Sequence, residues 1–327
     1  MTNANSDISM MSEPVTMMPP TLSFEVQPPR HPEKAPKFWQ STAQLLSFQP
    51  DFMTVTYGAG GHERQASVEV VAKLAADSSV PTCAHITAVG ANRAALVAEI
   101  TRFLAAGTQR FLALRGDPPA GNVEWEPEPG EIGSAIELIK LLRLVDEQQR
   151  SRTESRSNFQ QPKHRPLVIG VATFPTGNKR AGTTSKQELQ RLMAKQQAGA
   201  NFAITQMLFE ADGYLDFLAQ AQTAGVTIPI IAGIAPVVSL GLLDKTAVIS
   251  GCKPPTHLVA QLTSSPNAKD RYEIGMQFTA DLAQRVLAGG APGLHLFTFN
   301  RAAPVAELTT TLRWRNWLPA TGVKTAR

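Results

Sequence analysis

Arg115, Gly116 and Asp117 end a strongly apolar stretch of the chain in a way that is typical of a functional site. The preceding segment RFLAL has no solvated face, which is typical of a strand buried in a parallel sheet. Pro118 and Pro119 follow, and because proline cannot donate to a sheet ladder, the strand must end near Asp117. An arginine and a carboxylate therefore share the carboxyl end of a buried strand, where α/β folds carry their chemistry.

Other apolar segments also end in side chains that could do chemistry. They are Glu25, Thr56 with Tyr57, His85, Thr173 with Phe174, Gln206, and Asn300 with Arg301. This set contains no Ser-His-Asp grouping and no cluster of metal ligands, so we expect neither a hydrolase triad nor a metal site. Carboxylates, an amide and hydroxyls suit a neutral heterocyclic substrate and one proton transfer, with the electron chemistry left to a cofactor.

The residues alone leave alternatives for these positions. Glu25 borders an apolar run, so it could have a raised pKa and act as an acid, or it could be an ordinary ion-pair partner of Arg115. His85 could be a core histidine with satisfied hydrogen bonds, and Gln206 could bond only to neighbouring backbone.

One helical segment, SKQELQRLMAKQQAGA, carries two further polar candidates. Ser185 opens it with Glu188 three residues later, which predicts a capping box, and Glu188 could have no further role. Lys195 could be a solvated residue of the same helix. A second helix, NRAALVAEITRFLAAG, is predicted to close at Gly107.

The elements that must position these residues alternate between strand and helix along the whole chain. The predicted strands span residues 21–26, 52–57, 82–87, 110–115, 167–173, 202–207, 229–234 and 293–299. Eight strand–helix units with no break in composition predict an α/β fold, a single (β/α)8 TIM barrel. The long interval before the eighth strand predicts extra helices, one of them in DRYEIGMQFTADLAQRVLAGG.

An open doubly wound sheet with a nucleotide-binding loop is the alternative fold. In VTYGAGGHE, Gly58 and Gly60 follow a strand, but Glu63 occupies the third position of the dinucleotide fingerprint. The segment GNKRAGTT departs from a P-loop at Thr183, where a lysine is required. Both motifs fail, which favours the barrel.

Composition sets the boundaries and the class of protein. We expect a flexible tail over 1–20, a barrel over 21–316 with a polar surface insertion at about 146–166, and a tail over 317–327. Only two cysteines occur and no apolar run could span a bilayer, so we expect a cytoplasmic protein without a membrane partner. The net charge of +4 resides largely in polar segments with few aromatics, which argues against nucleic-acid binding.

Several motifs together resemble the methylenetetrahydrofolate reductase family. They are LSFEVQPPR, VTYGAGG, HITAVG, LALRGDPP, AGANFAITQMLFE, GIAPV and GLHLFTFNR, in order from about residue 21 to 315. The resemblance implies reduction of 5,10-methylenetetrahydrofolate to 5-methyltetrahydrofolate by NADH or NADPH through non-covalently bound FAD, a one-carbon step that supplies methionine synthesis. Barrels of this family are often homo-oligomers, so a homo-oligomer is one alternative for the assembly.

The resemblance also assigns roles to individual residues. Glu25 matches the general acid that assists opening of the methylene bridge, and Asp117 matches a carboxylate that bonds the pterin near the flavin. Gln206 and Arg301 match substrate contacts. The implied FAD contacts are Thr56, His85, Arg115, Gly116, Asp117, Gly133, Ser134, Phe174, Glu188 and Lys195.

The chain departs from the family pattern around the implied flavin site. Residues 174–178 are Phe-Pro-Thr-Gly-Asn where many relatives have Tyr-Pro-Glu and then a histidine. Ala194 replaces one member of a basic pair that ends in Lys195, and Ala135 replaces an acidic neighbour of Ser134. Two alternatives therefore stand beside the flavoenzyme: a flavin-free reductase with direct hydride transfer, and a non-catalytic folate- or flavin-binding barrel.

Overall fold

Eight parallel strands close into one barrel in sequence order, as predicted. The computed structural model describes residues 19–57, 61–117, 126–155 and 164–321. The strands are β1 Thr21–Val26, β2 Phe52–Val55, β3 Thr82–Thr87, β4 Arg110–Leu114, β5 Val168–Thr173, β6 Phe202–Thr205, β7 Ile230–Ile234 and β8 Gly293–Phe297. β8 pairs with β1 and closes the barrel.

Helices surround the barrel and cover its apolar outer face. Within the described residues they are α1 Ala35–Leu46, α2 Gly61–Asp77, α3 Arg93–Ala105, α4 Ala135–Ser155, α5 Ser185–Gln197, α6 Asp212–Thr223, α7 Leu240–Ser250, α8 Thr256–Ser264, α9 Ala268–Ala288 and α10 Ala302–Trp314. The extra helices predicted before the eighth strand are confirmed. Together, α7 and α8 bury a small apolar cluster around Leu243, Leu258 and Leu262.

The side chains inside the barrel come from alternate positions of each strand. Phe52, Cys83, Leu112 and Phe202 belong to one buried apolar cluster within it. A Cβ at Gly170 would lie 2.3 Å from the Phe202 ring, so this position has to be glycine for the ring to fill the interior. The interior is therefore packed rather than hollow.

Two predicted helix ends can be compared with the structure. Helix α3 ends as predicted, with Gly107 in a left-handed conformation just after it. The capping box of α5 was predicted one residue too late. Thr184 is the N-cap, and its partner is Gln187 rather than Glu188, because the polar sequence TTSKQE allows either register.

The predicted insertion at 146–166 is in part regular structure. Helix α4 continues to Ser155, and Asp146 is only 9% exposed. It accepts hydrogen bonds from the Leu167 amide at 3.1 Å and contacts His164 Nε2 at 2.7 Å. The polar surface insertion stays a prediction, because residues 156–163 lie outside the described part of the chain, whereas Asp146, at its predicted start, is buried against protein partners.

The predicted end of the packed barrel at residue 316 is too early. Leu318 is 5% exposed and belongs to the main apolar core. Arg313 Nε donates to the Pro319 carbonyl at 3.0 Å. The predicted tails at 1–18 and 322–327 lie outside the described residues. Among the helices of the described ranges, none is both long enough and apolar enough to cross a bilayer.

Candidate active site

Glu25 lies inside the barrel near the carboxyl end of β1, with only 12% of its side chain exposed. Burial raises its pKa to about 7, and a hydrogen bond with Gln27 partly offsets this increase. An ordinary glutamate has a pKa of 4.5, so this carboxyl keeps its proton to a much higher pH and is still about half protonated near pH 7. The ion pair with Arg115, one alternative from the sequence, is absent among the described contacts: the nearest basic group recorded is His85.

The loop after β8 holds the backbone around Glu25 in place. Thr298 Oγ1 donates to the Glu25 carbonyl at 2.6 Å. Asn300 accepts from the Gln27 amide at 2.9 Å and donates to the Gln27 carbonyl at 2.7 Å. Phe299 and Asn300 both adopt positive φ angles, 47° and 57°, which are costly for residues with a Cβ. The paired hydrogen bonds offset this strain.

Arg115, Gly116 and Asp117 form a tight turn directly after β4. Gly116 has φ +88°, and a Cβ there would lie 3.2 Å from the side chains of Thr87 and Val89. The Val89 amide donates to the Arg115 carbonyl at 2.9 Å, so the turn packs against the end of β3. Only glycine satisfies both the backbone angle and the close approach. The turn leaves the guanidinium of Arg115 exposed.

Asp117 is a solvated carboxylate with 81% of its side chain exposed. Its recorded partner is Arg180, whose guanidinium lies 3.5 Å away and is itself half exposed. Arg180 also donates to the Val248 carbonyl at 3.0 Å, at the end of α7. Arg180 thus connects the loops that follow β4 and β5 with helix α7.

The loop after β5 is a compact, self-bonded turn. Asn178 and Thr183 form an antiparallel bridge, and Asn178 caps a single 3-10 turn at Lys179–Ala181. Gly177 has φ +90°, and a Cβ there would lie 2.4 Å from the Thr183 carbonyl. The departure of residues 174–178 from the family pattern therefore builds an ordered loop, with Phe174 partly buried at its start.

The remaining predicted contacts at the strand ends occupy the mouth of the barrel. Thr56 follows β2, and its amide donates to the Val26 carbonyl at 3.0 Å. Gln206 follows β6; its side-chain oxygen accepts from the Met207 amide at 2.9 Å, the local backbone contact that was one of its alternatives. Arg301 follows the Asn300 turn and is exposed.

Gly133 and Ser134 lie at the start of α4. Ser134 Oγ accepts from the Glu137 amide at 3.2 Å, and the Gly133 amide donates to the Glu137 carboxylate at 2.8 Å. The Ile132 amide donates to the Ala91 carbonyl, which holds this helix start against the loop after β3. A helix N-terminus carries partial positive charge and suits a phosphate group.

Glu188 and Lys195 of α5 are engaged in contacts within the protein. Glu188 is 2% exposed and accepts from Thr183 Oγ1 at 2.6 Å and from Arg191 at 2.9 Å. Lys195 donates to the Ala172 carbonyl of β5 at 2.8 Å, and burial lowers its pKa to about 8. Lys195 is therefore not a solvated residue, and Glu188 does not cap the helix but bonds Thr183 and Arg191.

The donor set at the barrel mouth fits a flavin dinucleotide in part. The exposed cation Arg115 has the chemistry that a pyrophosphate requires, whereas at the N-terminus of α4 the Gly133 amide already donates to the Glu137 carboxylate, which a phosphate would have to displace. Glu188 and Lys195 contribute less, because their polar atoms already have protein partners. Within the described residues, no cluster of three or more His, Cys, Asp or Glu side chains could hold a metal ion.

Sequence reasoning missed several residues that shape this site. Ser23 and His295 face each other inside the barrel, where Ser23 Oγ lies 2.9 Å from His295 Nδ1. The alternation in LSFEV and GLHLF places Ser23 with Glu25, and His295 with Phe297, on the inner faces of their strands. This period-two alternation could have identified Ser23 and His295 from the sequence as residues that face the inside of the barrel. Arg180 offered none, because its contact with Asp117 joins residues 63 positions apart.

Comparison with known proteins gives a consistent result. Residues 13–313 match the family model for methylenetetrahydrofolate reductase. A 5,10-methylenetetrahydrofolate reductase of Salmonella typhimurium is 30% identical over 292 residues, which cover 89% of this chain and 90% of that protein. A probable methylenetetrahydrofolate reductase (NADPH) of Caenorhabditis elegans is 29% identical over 298 residues, but this chain spans only 42% of its length.

Among solved structures, a Clostridium thermocellum protein described as binding two copies of 5-methyl-5,6,7,8-tetrahydrofolic acid has a TM-score of 0.58. It is 13% identical, and the match covers 91% of this chain and 97% of that one, a likeness of fold. The family match covers most of the chain and all eight strands of the barrel. The chain therefore belongs to the methylenetetrahydrofolate reductase family.

Proposed function

We propose that this protein reduces 5,10-methylenetetrahydrofolate to 5-methyltetrahydrofolate at the expense of NADH or NADPH, in the cytoplasm. Family membership supports the reaction. The observation that carries the chemistry is Glu25, a nearly buried carboxyl whose pKa of about 7 keeps a transferable proton available at neutral pH. A general acid is most effective when its pKa is close to the working pH.

Residues of the barrel mouth would bind different parts of FAD. Arg115 and Gly116 would hold the pyrophosphate side of FAD, and the start of α4 at Gly133 and Ser134 would join them where a phosphate displaces the Glu137 carboxylate. Thr56 and Phe174, which follow β2 and β5, would be further contacts to the cofactor. FAD, when bound, supplies the hydride chemistry that no side chain can perform. The proton that the folate receives as its bridge opens is left to the protein.

Glu25 and Asp117 act on different parts of the folate. Glu25 gives its proton to the bridge nitrogen that leaves the methylene carbon as the C–N bond breaks. The hydrogen bonds from Thr298 and Asn300 fix the backbone that carries Glu25. Asp117 and Gln206 bond the polar edge of the pterin, and the exposed guanidinium of Arg301 faces the solvent side of the mouth, where it suits the acidic tail of a folate.

The experiment is an anaerobic assay of the purified protein with reduced nicotinamide and methylenetetrahydrofolate, and the product is identified by mass spectrometry. We expect 5-methyltetrahydrofolate to form and the visible spectrum of the protein to show flavin absorption. A quinone replaces folate as a control acceptor, because it needs no proton from Glu25. Product formation without any flavin absorption would support direct hydride transfer, and retained folate with no turnover would contradict the reductase.

A further inference from the structure

Two histidines lie inside the barrel around Glu25, and the proposed reaction uses neither of them as an acid. His85 is 6% exposed and His295 is 1% exposed. His295 pairs in register with Ser23 and contacts its hydroxyl at 2.9 Å, which fixes the orientation of the ring. His85 comes from β3, across β2 from Glu25.

The buried nitrogen of His85 faces the acid. His85 Nε2 lies 3.8 Å from Glu25 Oε2 and has no hydrogen-bond partner. Thr54 Oγ1, on the strand between them and in register with Glu25, is also buried and without a partner. An unpaired buried polar atom is costly, so the unpaired Nε2 that faces the Glu25 carboxyl indicates an acceptor available to that carboxyl. A shift of about 1 Å would bring Nε2 within hydrogen-bond distance of Glu25.

The buried surroundings of Glu25 and His85 oppose a charge on either side chain. Burial lowers the pKa of His85 to about 3, and it does the same to His295, whose protonation His85 opposes further. The other ionisable group of the inner face nearby, Cys83 on β3, has its pKa raised to about 12 by burial. No charged side chain of the described residues contributes to the pKa shift of Glu25. The proton therefore stays on the carboxyl rather than passing to an imidazole.

We propose that His85 is a positioning residue for Glu25: its neutral Nε2 accepts from the protonated carboxyl and holds it in the acid form. A hydrogen bond made only to the protonated form favours that form. The inference deepens the proposed function and depends on it for the kinetic consequence alone, because the titration of Glu25 can be measured without any substrate.

The resemblance to the family implies a different role for His85, as a contact to FAD. Two substitutions separate the roles, since glutamine places its amide near the position of Nε2 and asparagine places its amide near the position of Nδ1. If Nε2 acts on Glu25, His85→Gln still holds the Glu25 carboxyl in its acid form and His85→Asn does not. If the ring serves only the cofactor at the mouth through its other nitrogen, the order of the two variants reverses.

The primary measurement is the titration of Glu25 in the flavin-free, folate-free protein by carbon-13 NMR of labelled glutamate side chains. The Glu25→Gln variant identifies the signal. We expect the midpoint to fall by about one pH unit or more in His85→Asn, and to stay within about 0.3 unit of the wild type in His85→Gln. Thermal unfolding of both variants shows that they are folded.

The kinetic measurement follows the folate half-reaction across pH. Because the acid form is required, the rate falls above the midpoint of Glu25, so the folate half-reaction of His85→Asn should be about tenfold slower than that of wild type at pH 8. A Glu25 midpoint that moves equally in both variants, or in neither, overturns the proposal. An inactive protein in which only His85→Asn shifts the midpoint would contradict the proposed function and leave this inference standing.

Discussion

The two carboxylates of the barrel mouth occupy opposite environments. Glu25 is 12% exposed, surrounded by neutral groups and fixed through its backbone by the loop after β8. Asp117 is 81% exposed, lies on a turn after β4, and faces the guanidinium of Arg180. The first environment opposes charge and the second accommodates it, so one fold provides a proton donor and a solvated anion from side chains of nearly the same chemistry.

This difference follows from the strand positions that the residues occupy. Glu25 is the fifth residue of a six-residue strand and points into a packed interior. Asp117 lies three residues beyond the end of β4, where no neighbouring strand shields it. The depth of an acidic residue below the rim of the barrel thus decides whether its carboxyl is shielded from water or solvated.

The largest expected effect is that of Glu25→Gln on folate reduction. Glutamine keeps the size of the side chain but has no proton to transfer, so we expect a loss of about a hundredfold or more in the folate half-reaction. The nicotinamide reaction with a quinone should survive. Stopped-flow measurement of the two half-reactions decides the matter, and equal losses in both would show that Glu25 is not the acid.

The second expected effect of Glu25→Gln is on the pH dependence of the free energy of unfolding. The pKa of Glu25 is raised from 4.5 to about 7 in the folded protein. The contribution of the protonated carboxyl to the free energy of unfolding is therefore fully present below pH 4.5 and is lost as pH rises through 7. Wild type should therefore lose up to about 3 kcal/mol of unfolding free energy relative to Glu25→Gln between pH 4.5 and 8. Urea unfolding at both pH values measures this, with the exposed Glu33→Gln as the control. A constant difference between the variants would contradict the raised pKa.

Asp117→Asn should affect catalysis and leave folding alone. Loss of a charge-assisted hydrogen bond to the pterin should reduce folate turnover about tenfold. The thermal midpoint should stay the same, because exposed ion pairs contribute little to stability. Steady-state kinetics and calorimetry on one preparation test both statements, and unchanged folate kinetics would remove Asp117 from the site.

The smallest expected effect is that of Arg180→Gln. Its ion pair with Asp117 is solvated, so its removal should change the KM for folate by about threefold, and added salt should reduce the difference. Arg180→Lys retains the charge but has no second guanidinium nitrogen for the Val248 carbonyl. A loss as large as that of Asp117→Asn would show that the two side chains act as one unit.

The sequence predicted the parts of this comparison that depend on local pattern. Apolar runs located the eight strands, and the residues that end them located Glu25 and Asp117 at one face of the barrel. The environments were not predictable in the same way. Whether Glu25 pairs with Arg115 or meets His85 depends on strand order and register, and Arg180 reaches Asp117 from a loop whose conformation Gly177 determines.

The hydrogen bonds that fix the backbone around Glu25 join residues 273 positions apart, Thr298 with Glu25 and Asn300 with Gln27. Contacts of such separation close late in folding, since the entropy of closing the intervening loop must be offset by structure already formed. In a chain emerging from the ribosome, the backbone around Glu25 is therefore not fixed until the eighth strand and the loop after it have been synthesised and docked. A truncated chain that ends before β8 would lack every one of the hydrogen bonds from Thr298 and Asn300 to this part of the barrel.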